Sequence, residues 1–86
     1  MDVSDFPYAE IIADAARNLR CVKLTYKDEV RTVEPYSYRI SPTGSGTLFY
    51  GFHREDNQIK AFLLDKIQSV EPSDESYSPR WAVEIA

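Results

Sequence analysis

The stretch IKAFLLDKIQSVEP, residues 59–72, decides the fold, because it reads as two short apolar strands joined by a charged interruption. Phe62 and Leu64 end the first apolar run, Asp65 follows, and the apolar pattern resumes at Ile67. An aspartate directly after an apolar strand is typical of a turn, where its carboxylate accepts backbone N–H hydrogen bonds. These residues therefore predict two consecutive strands that meet at a turn and contribute to one core.

Alternating patterns upstream of this stretch predict the remaining strands. One strand begins at Cys21, and a tight turn at residues 27–29 leads to a second strand near Val30. Pro35 ends this strand, bends it or places it on a sheet edge, since proline cannot donate to the ladder. The Gly/Ser/Pro-rich residues 41–47 predict a hairpin loop rather than a phosphate-binding loop, because neither a Lys-Ser or Lys-Thr pair nor a helix follows the glycines. An aromatic-rich hairpin follows.

The N-terminal part has the spacing of an amphipathic helix. Its apolar residues recur every three or four positions, at Tyr8, Ile11, Ile12, Ala15, Ala16 and Leu19. We predict a helix over about residues 7–19 whose apolar face, including Leu19, covers an open end of the strands.

One helix and about five short strands predict a mainly β protein with an N-terminal α-helix. Five bent strands are too few for two full sheets, but they can close on themselves and remove exposed edges. The predicted fold is a small five-stranded SH3-like or Sm-like barrel capped by the helix. We expect a single domain over residues 1–86, with the barrel at about 21–72 and an apolar-acidic tail at 73–86 that packs back or awaits a partner.

The composition is that of an ordinary globular protein, with 86 residues, 43% hydrophobic and 28% charged. The N-terminus has neither the basic nor the apolar region of a signal peptide, and no membrane span is indicated, so we expect a cytoplasmic location. Cys21 and His53 are the only residues of their types, which excludes a Cys/His zinc site within one protomer. We expect no metal and no cofactor.

The net charge of −4 argues against a dedicated nucleic-acid-binding domain, which usually carries a basic excess. The charge is unevenly distributed, however, because both ends are acidic while residues 17–66 hold nine bases and six acids, a net +3. Solvated strand faces and a site for an anionic partner both explain this excess.

The sequence predicts no enzyme. His53 has no Ser or Cys nucleophile near it in sequence, so nothing indicates a catalytic triad. The acidic pairs at residues 28–29 and 55–56 lie in predicted turns, where solvated carboxylates are expected.

The ordered set of motifs resembles the WYL domain, a bacterial regulatory module found mostly in transcription factors and also beside nucleases and helicases. The motifs are LTY at 24–26, VRTVEP at 30–35, FYGF at 49–52 and IKAFLLDKIQSVEP at 59–72, all after a helix. The resemblance covers about residues 10–72. It implies a Sm-like barrel that senses a ligand, nucleic acid or nucleotide, through basic residues on one face.

This sequence departs from the family pattern at residues that would touch an anion. Thr47-Leu48-Phe49 stands where the family has Trp-Tyr-Leu, and Leu63 replaces an arginine. Lysine replaces arginine at two further positions, which keeps the charge but loses the planar fork suited to phosphate. The resemblance therefore implies a weakened ligand site, and its residues are Tyr26, Arg31, Lys60 and Lys66.

Structural roles are the alternative explanation for the presence of these residues. Tyr26 can be a core tyrosine with its hydroxyl at the rim, and Arg31 can form an ion pair with Asp65 or Glu34. Two hypotheses follow: a non-catalytic module that binds a nucleotide or single-stranded nucleic acid, and a protein-interaction or homo-oligomerisation module that uses barrel edges, the helix and the Trp81-bearing tail.

Overall fold

The computed structural model of the protein describes residues 8–44 and 46–85. Within those residues an α-helix precedes five β-strands, and a 3-10 turn separates the last two strands. The bounds are α1 Ala9–Arg17, β1 Arg20–Tyr26, β2 Glu29–Ile40, β3 Thr47–His53, β4 Gln58–Leu63, the 3-10 turn Leu64–Lys66 and β5 Ser69–Ser76. The predicted mainly β fold with an N-terminal helix is confirmed.

All five strands form one antiparallel sheet in the order β4-β3-β2-β1-β5. The edge strands β4 and β5 nevertheless contribute to the same apolar cluster, Phe62 from β4 and Val70 from β5. A sheet whose two edges share a core must curl around that core. The inner face of the sheet is defined here as the face that bears Phe62, and the outer face is the opposite one.

Local sequence explains the turn and the bend of the first hairpin. Lys27 and Asp28 both have positive φ, 51° and 63°, as the two central residues of a tight hairpin turn require. β2 continues through Pro35, and its register with β3 shifts between Pro35 and Ser37. Of the three roles predicted for Pro35, the structure shows a bulge in a central strand, where the missing N–H is tolerated.

The core lies between α1 and the inner face of the sheet. Ile12 and Ala15 of α1 join the buried cluster, and Phe49 and Phe62 pack in the same cluster. Leu19, predicted to face the core, is 38% exposed and has a φ of 53°, because it follows the helix end and begins the turn into β1. Pro7, the predicted first residue of the helix, lies outside the described residues.

The stretch after β4 forms the predicted turn. Leu64–Lys66 makes one 3-10 turn with no side-chain cap, so the Asp65 carboxylate does not accept the cap N–H hydrogen bonds predicted for it. Leu64 and Ile67 are buried on either side of the two charged residues, which are exposed. The charged interruption therefore lets the chain turn between two core positions.

The C-terminal tail packs on the outer face of the sheet through Trp81 and Val83, while Ile85 packs against the inner core cluster. β5 extends to Ser76, and the following Tyr77 joins an outer cluster with Cys21, Tyr36 and Phe52. Among the described residues, no helix is long and apolar enough to span a bilayer.

Candidate functional site

Strand pairing brings three of the four predicted site residues to the inner face. Arg31 of β2 pairs with Leu24 of β1, which lies two residues before Tyr26 and therefore on the same face. Lys60 lies two residues before Phe62 on β4, and the Phe62 ring contacts the Tyr26 ring edge to face, with centroids 5.1 Å apart. Tyr26, Arg31 and Lys60 thus share one face of the sheet.

Arg31 is the most buried cation of this group, with 13% of its side chain exposed. Its guanidinium carbon lies 5.7 Å from the centroid of the Tyr26 ring and 5.6 Å from that of Phe62, within cation–π range. Nη2 pairs with a Glu29 carboxylate oxygen at 3.2 Å, whereas Nε is buried without a hydrogen-bond partner among the described residues. The ion pair expected with Asp65 or Glu34 is not formed; Glu29 is the partner.

The Lys60 ammonium pairs with the carboxylate of Asp56 in the turn before β4. The hydrogen bond from Lys60, with the nearby charges of Lys60, His53 and Arg31, lowers the pKa of Asp56. The same carboxylate lies 3.3 Å from Nδ1 of His53, and Glu55 lies 3.2 Å from its Nε2. His53, expected in an exposed turn, is instead 5% exposed at the end of β3. Its burial follows from strand pairing that alternation alone did not reveal.

Lys66 is not brought to the other cations by any described contact. It is exposed in the 3-10 turn, and within the described residues it forms no ion pair. The turn adjoins the cluster through Leu64, which packs in the same core as Phe62, and through Leu63 at the end of β4, whose amide donates to the Tyr26 hydroxyl at 3.3 Å. We define the inner-face cluster as Tyr26, Arg31 and Lys60, with Phe62 supporting it.

The inner-face cluster has no excess of positive charge. Its two permanent cations, Arg31 and Lys60, lie near three carboxylates, Glu29, Glu55 and Asp56. An anionic ligand has to compete with these acids, and it gains most at the unpartnered Nε of Arg31. No group of three or more His, Cys, Asp or Glu residues is placed to hold a metal in the described part of the chain.

A second polar cluster lies on the outer face and was missed from sequence. The Glu34 carboxylate is 1% exposed and accepts hydrogen bonds from Arg54 Nε at 3.1 Å, Arg80 Nε at 3.2 Å and the Tyr36 hydroxyl at 2.9 Å. Sequence reasoning considered Glu34 only as an ion-pair partner of Arg31. In the structure its carboxylate is instead held by Arg54, 20 residues later, and by Arg80 of the tail, 46 residues later.

Comparison with known proteins agrees with this architecture. The family model of the WYL domain matches residues 7–72. Among solved structures, proteasome accessory factor B/C (PafBC) of Arthrobacter aurescens is similar, with 27% identity and a TM-score of 0.69 over 84% of this chain. The matched region is 12% of the PafBC chain, so this chain spans only a small part of that protein. No curated protein matches the chain.

Proposed function

Because the chain belongs to the WYL domain family, we propose that it is a non-catalytic regulatory module that senses an anionic ligand, either a nucleotide or single-stranded nucleic acid. The ligand binds at the inner-face cluster, and Lys66 contributes from the neighbouring turn. PafBC, with its similar WYL-type region, supports a role as a module within regulatory proteins.

The observation that carries the proposal is the environment of the Arg31 guanidinium, which is held by two aromatic rings and has a hydrogen-bond donor left unused within the described part of the chain. A guanidinium that lies over two aromatic rings is held in one orientation, so little side-chain entropy is lost when it binds a ligand. Its Nε–H has no hydrogen-bond acceptor among the residues that the structure describes, and a buried donor without a partner is costly. A phosphate oxygen satisfies this donor and adds a charge-assisted hydrogen bond.

The neighbouring acids set the expected strength of binding. Asp56 holds Lys60 and Glu29 holds Arg31, so phosphate has to displace at least one carboxylate. The Tyr26 and Phe62 rings already support Arg31, which leaves them less available for stacking on a base. We therefore expect weak binding that falls steeply with salt.

Titration with nucleotides and short single-stranded oligonucleotides tests the proposal, at about 0.01 M and about 0.15 M salt, where the Debye lengths are about 30 Å and about 8 Å. Arg31→Ala should weaken binding about tenfold or more, since charge-assisted hydrogen bonds are lost. Asp56→Asn should strengthen it by up to about fivefold, because it releases Lys60 from a surface ion pair.

Lys23→Ala is the matched control, because Lys23 is an exposed lysine of β1 on the outer face. It should change the affinity by less than about twofold. Absence of binding by both the wild type and Asp56→Asn at the lower salt concentration contradicts the proposal, since phosphate contacts are strongest there.

A protein-interaction or oligomerisation module is the second candidate function. It is supported by large apolar side chains on the surface, since Ile40 is 83% exposed and Ile59 is 47% exposed. Light scattering across the accessible concentration range tests self-association. A dimer that Ile40→Ser dissociates supports self-association, and a monomer throughout contradicts self-association.

A further inference from the structure

We infer that the outer face around Glu34 is a peptide-binding groove that recognises an arginine followed by an aromatic residue, and that the chain's own Arg80 and Trp81 occupy it in cis. The partner is a segment of another protein with this residue pair. The inference gives the second candidate function a definite surface and ligand. It does not rest on the anionic ligand, whose cluster lies on the opposite face.

The groove holds arginine by charge, by geometry and by an aromatic face. Glu34 accepts Arg80 Nε at 3.2 Å and Nη2 at 3.4 Å, with both carboxylate oxygens engaged. The guanidinium carbon lies 3.9 Å from the centroid of the Phe52 ring, a close cation–π contact. Lysine has no planar fork to match this arrangement, so the groove favours arginine.

The next residue is held by aromatic packing. The Trp81 ring stacks on the Tyr36 ring, with centroids 4.7 Å apart and an interplanar angle of 17°, and meets the Phe52 ring edge to face at 6.3 Å. The Tyr36 hydroxyl accepts the Arg80 backbone N–H at 3.0 Å, and the Tyr36 carbonyl accepts the N–H of Glu84 at 2.7 Å. One tyrosine thus contacts both the side chain and the backbone of the bound segment.

The bound segment can leave without exposing an unpaired charge. When Arg80 is removed, Glu34 keeps the Tyr36 hydroxyl and the Arg54 guanidinium as hydrogen-bond donors. Arg80 and Trp81 are themselves 45% and 44% exposed, whereas the Glu34 side chain beneath them is 1% exposed. A fully buried receptor group with a half-exposed occupant is the arrangement expected of an exchangeable ligand.

The tail follows the part of the chain that matches the family, and Tyr77 attaches it to the sheet. It follows the family match, which ends at residue 72. Tyr77 is buried and its hydroxyl donates to the Pro35 carbonyl at 2.7 Å, so it fixes the point from which the tail departs. After Arg80 and Trp81 the tail is also held by the Arg39–Glu84 ion pair at 2.7 Å and by Ile85, which packs against the inner core cluster. Within the described residues no strand follows Ser76, so the sheet stays intact when Arg80 and Trp81 are displaced.

The cis segment leaves part of the groove empty. A depression of about 460 Å³ lies beside Trp81 and is lined by Tyr50, Ile59 and Ala82. Ala82 is too small to fill it, and a larger apolar side chain at that position of a competing peptide buries additional surface there. The preferred partner segment is therefore arginine, an aromatic residue and then a large apolar residue.

The wild-type protein provides the first test, because Trp81 is its single tryptophan. The probe is the synthetic peptide SPRFLVEIA, in which phenylalanine replaces the tryptophan and leucine replaces the following alanine of residues 78–86. Displacement of the cis segment should shift the Trp81 emission to the red in a saturable titration. The peptide SPAFLVEIA, without the arginine, should give no shift.

The second test uses Arg80→Ala/Trp81→Ala, which empties the groove, and a labelled peptide SPRWAVEIA in fluorescence polarisation. This variant should bind about tenfold or more tightly than wild type, since it removes a competitor at an effective concentration in the millimolar range. Adding Glu34→Gln should weaken binding about tenfold. Arg17→Ala/Val30→Ala, which removes an arginine and an exposed apolar residue, is the control and should behave as wild type.

Circular dichroism establishes that each variant is folded, and Arg80→Lys, a milder change, keeps the test valid if the double variant unfolds. Equal peptide affinity in wild type and the emptied variant, or no saturable binding in either, overturns the inference. A monomeric protein in light scattering contradicts self-association alone, because both titrations measure saturable binding of an added peptide.

Discussion

Gly51→Ala should destabilise the protein by about 2 kcal/mol, because the β3 backbone approaches β2 too closely for a side chain. A Cβ on Gly51 would lie 2.3 Å from Val33 Cγ1, 2.9 Å from the carbonyl oxygen of Glu34 and 3.2 Å from Phe49 Cζ. Carbon atoms in contact are about 3.5 Å apart at their closest favourable distance, so the overlap with Val33 is about 1.2 Å.

Neither neighbour can yield easily. Val33 is fully buried and β-branched, which restricts its χ1 rotation, and the Glu34 carbonyl belongs to the backbone of β2 opposite β3. Overpacking costs about 1–3 kcal/mol, and the rigidity of both contacts places this site at the upper end. The reduced entropy of the unfolded chain offsets about 0.4–1 kcal/mol, which leaves about 2 kcal/mol.

Urea denaturation and thermal unfolding followed by circular dichroism measure the effect, and the midpoint temperature should fall by about 8–16 °C for a domain of this size. The double variant Gly51→Ala/Val33→Ala is the matched control, because it removes the clashing methyl group. The double variant should lose less free energy of unfolding than the sum of the losses of Gly51→Ala and Val33→Ala, by about 1 kcal/mol. A Gly51→Ala protein as stable as wild type within about 0.5 kcal/mol refutes the steric argument.

Three further predictions concern the two faces of the sheet. In urea denaturation, Phe62→Ala should lower the free energy of unfolding by about 3–5 kcal/mol, because the Phe62 side chain is 1% exposed. Ile59→Ala on the same strand should lower it by less than about 1 kcal/mol, because Ile59 is 47% exposed. Glu34→Gln should lower the free energy of unfolding by about 1–3 kcal/mol, because it weakens the charge-assisted hydrogen bonds to the partly exposed Arg54 and Arg80. An unchanged midpoint of urea denaturation contradicts this prediction. Burial raises the pKa of the Cys21 thiol from 9.0 to about 11, so the native state holds this proton more tightly than the unfolded state. The free energy of unfolding should therefore be unaffected by this group below pH 9 and fall between pH 9 and about 11, and Cys21→Ala should show a shallower decline.

Much of the fold could be predicted because its signals are local. Strand alternation, the two-residue turn at Lys27 and Asp28, and the charged interruption after Leu64 each depend on residues next to one another in sequence. The family resemblance rests on the same local motifs in order, and the family match over residues 7–72 confirms it. The prediction that Leu19 faces the core was wrong, because helical periodicity does not reveal where the helix ends.

The candidate site was predicted less completely, because ion pairs form across strands. The family resemblance groups Tyr26 and Arg31 in one site, but it does not reveal that Lys60 pairs with Asp56 or that Arg31 pairs with Glu29. These pairs depend on turn geometry and strand register, which decide the carboxylate that each cation reaches. The cluster is therefore less positive than the count of basic residues suggested.

The sequence by itself determined the strands, their turns, the helix and the family, since hydrophobic periodicity and turn residues act over a few positions. Only the tertiary structure decided what covers each face of the sheet. Glu34 is an outer-face acid by its position in β2, and it becomes a buried arginine receptor because Arg54, 20 residues later, and Arg80, 46 residues later, fold over it. Burial of a strand's second face depends on contacts between distant segments, and no local pattern encodes them.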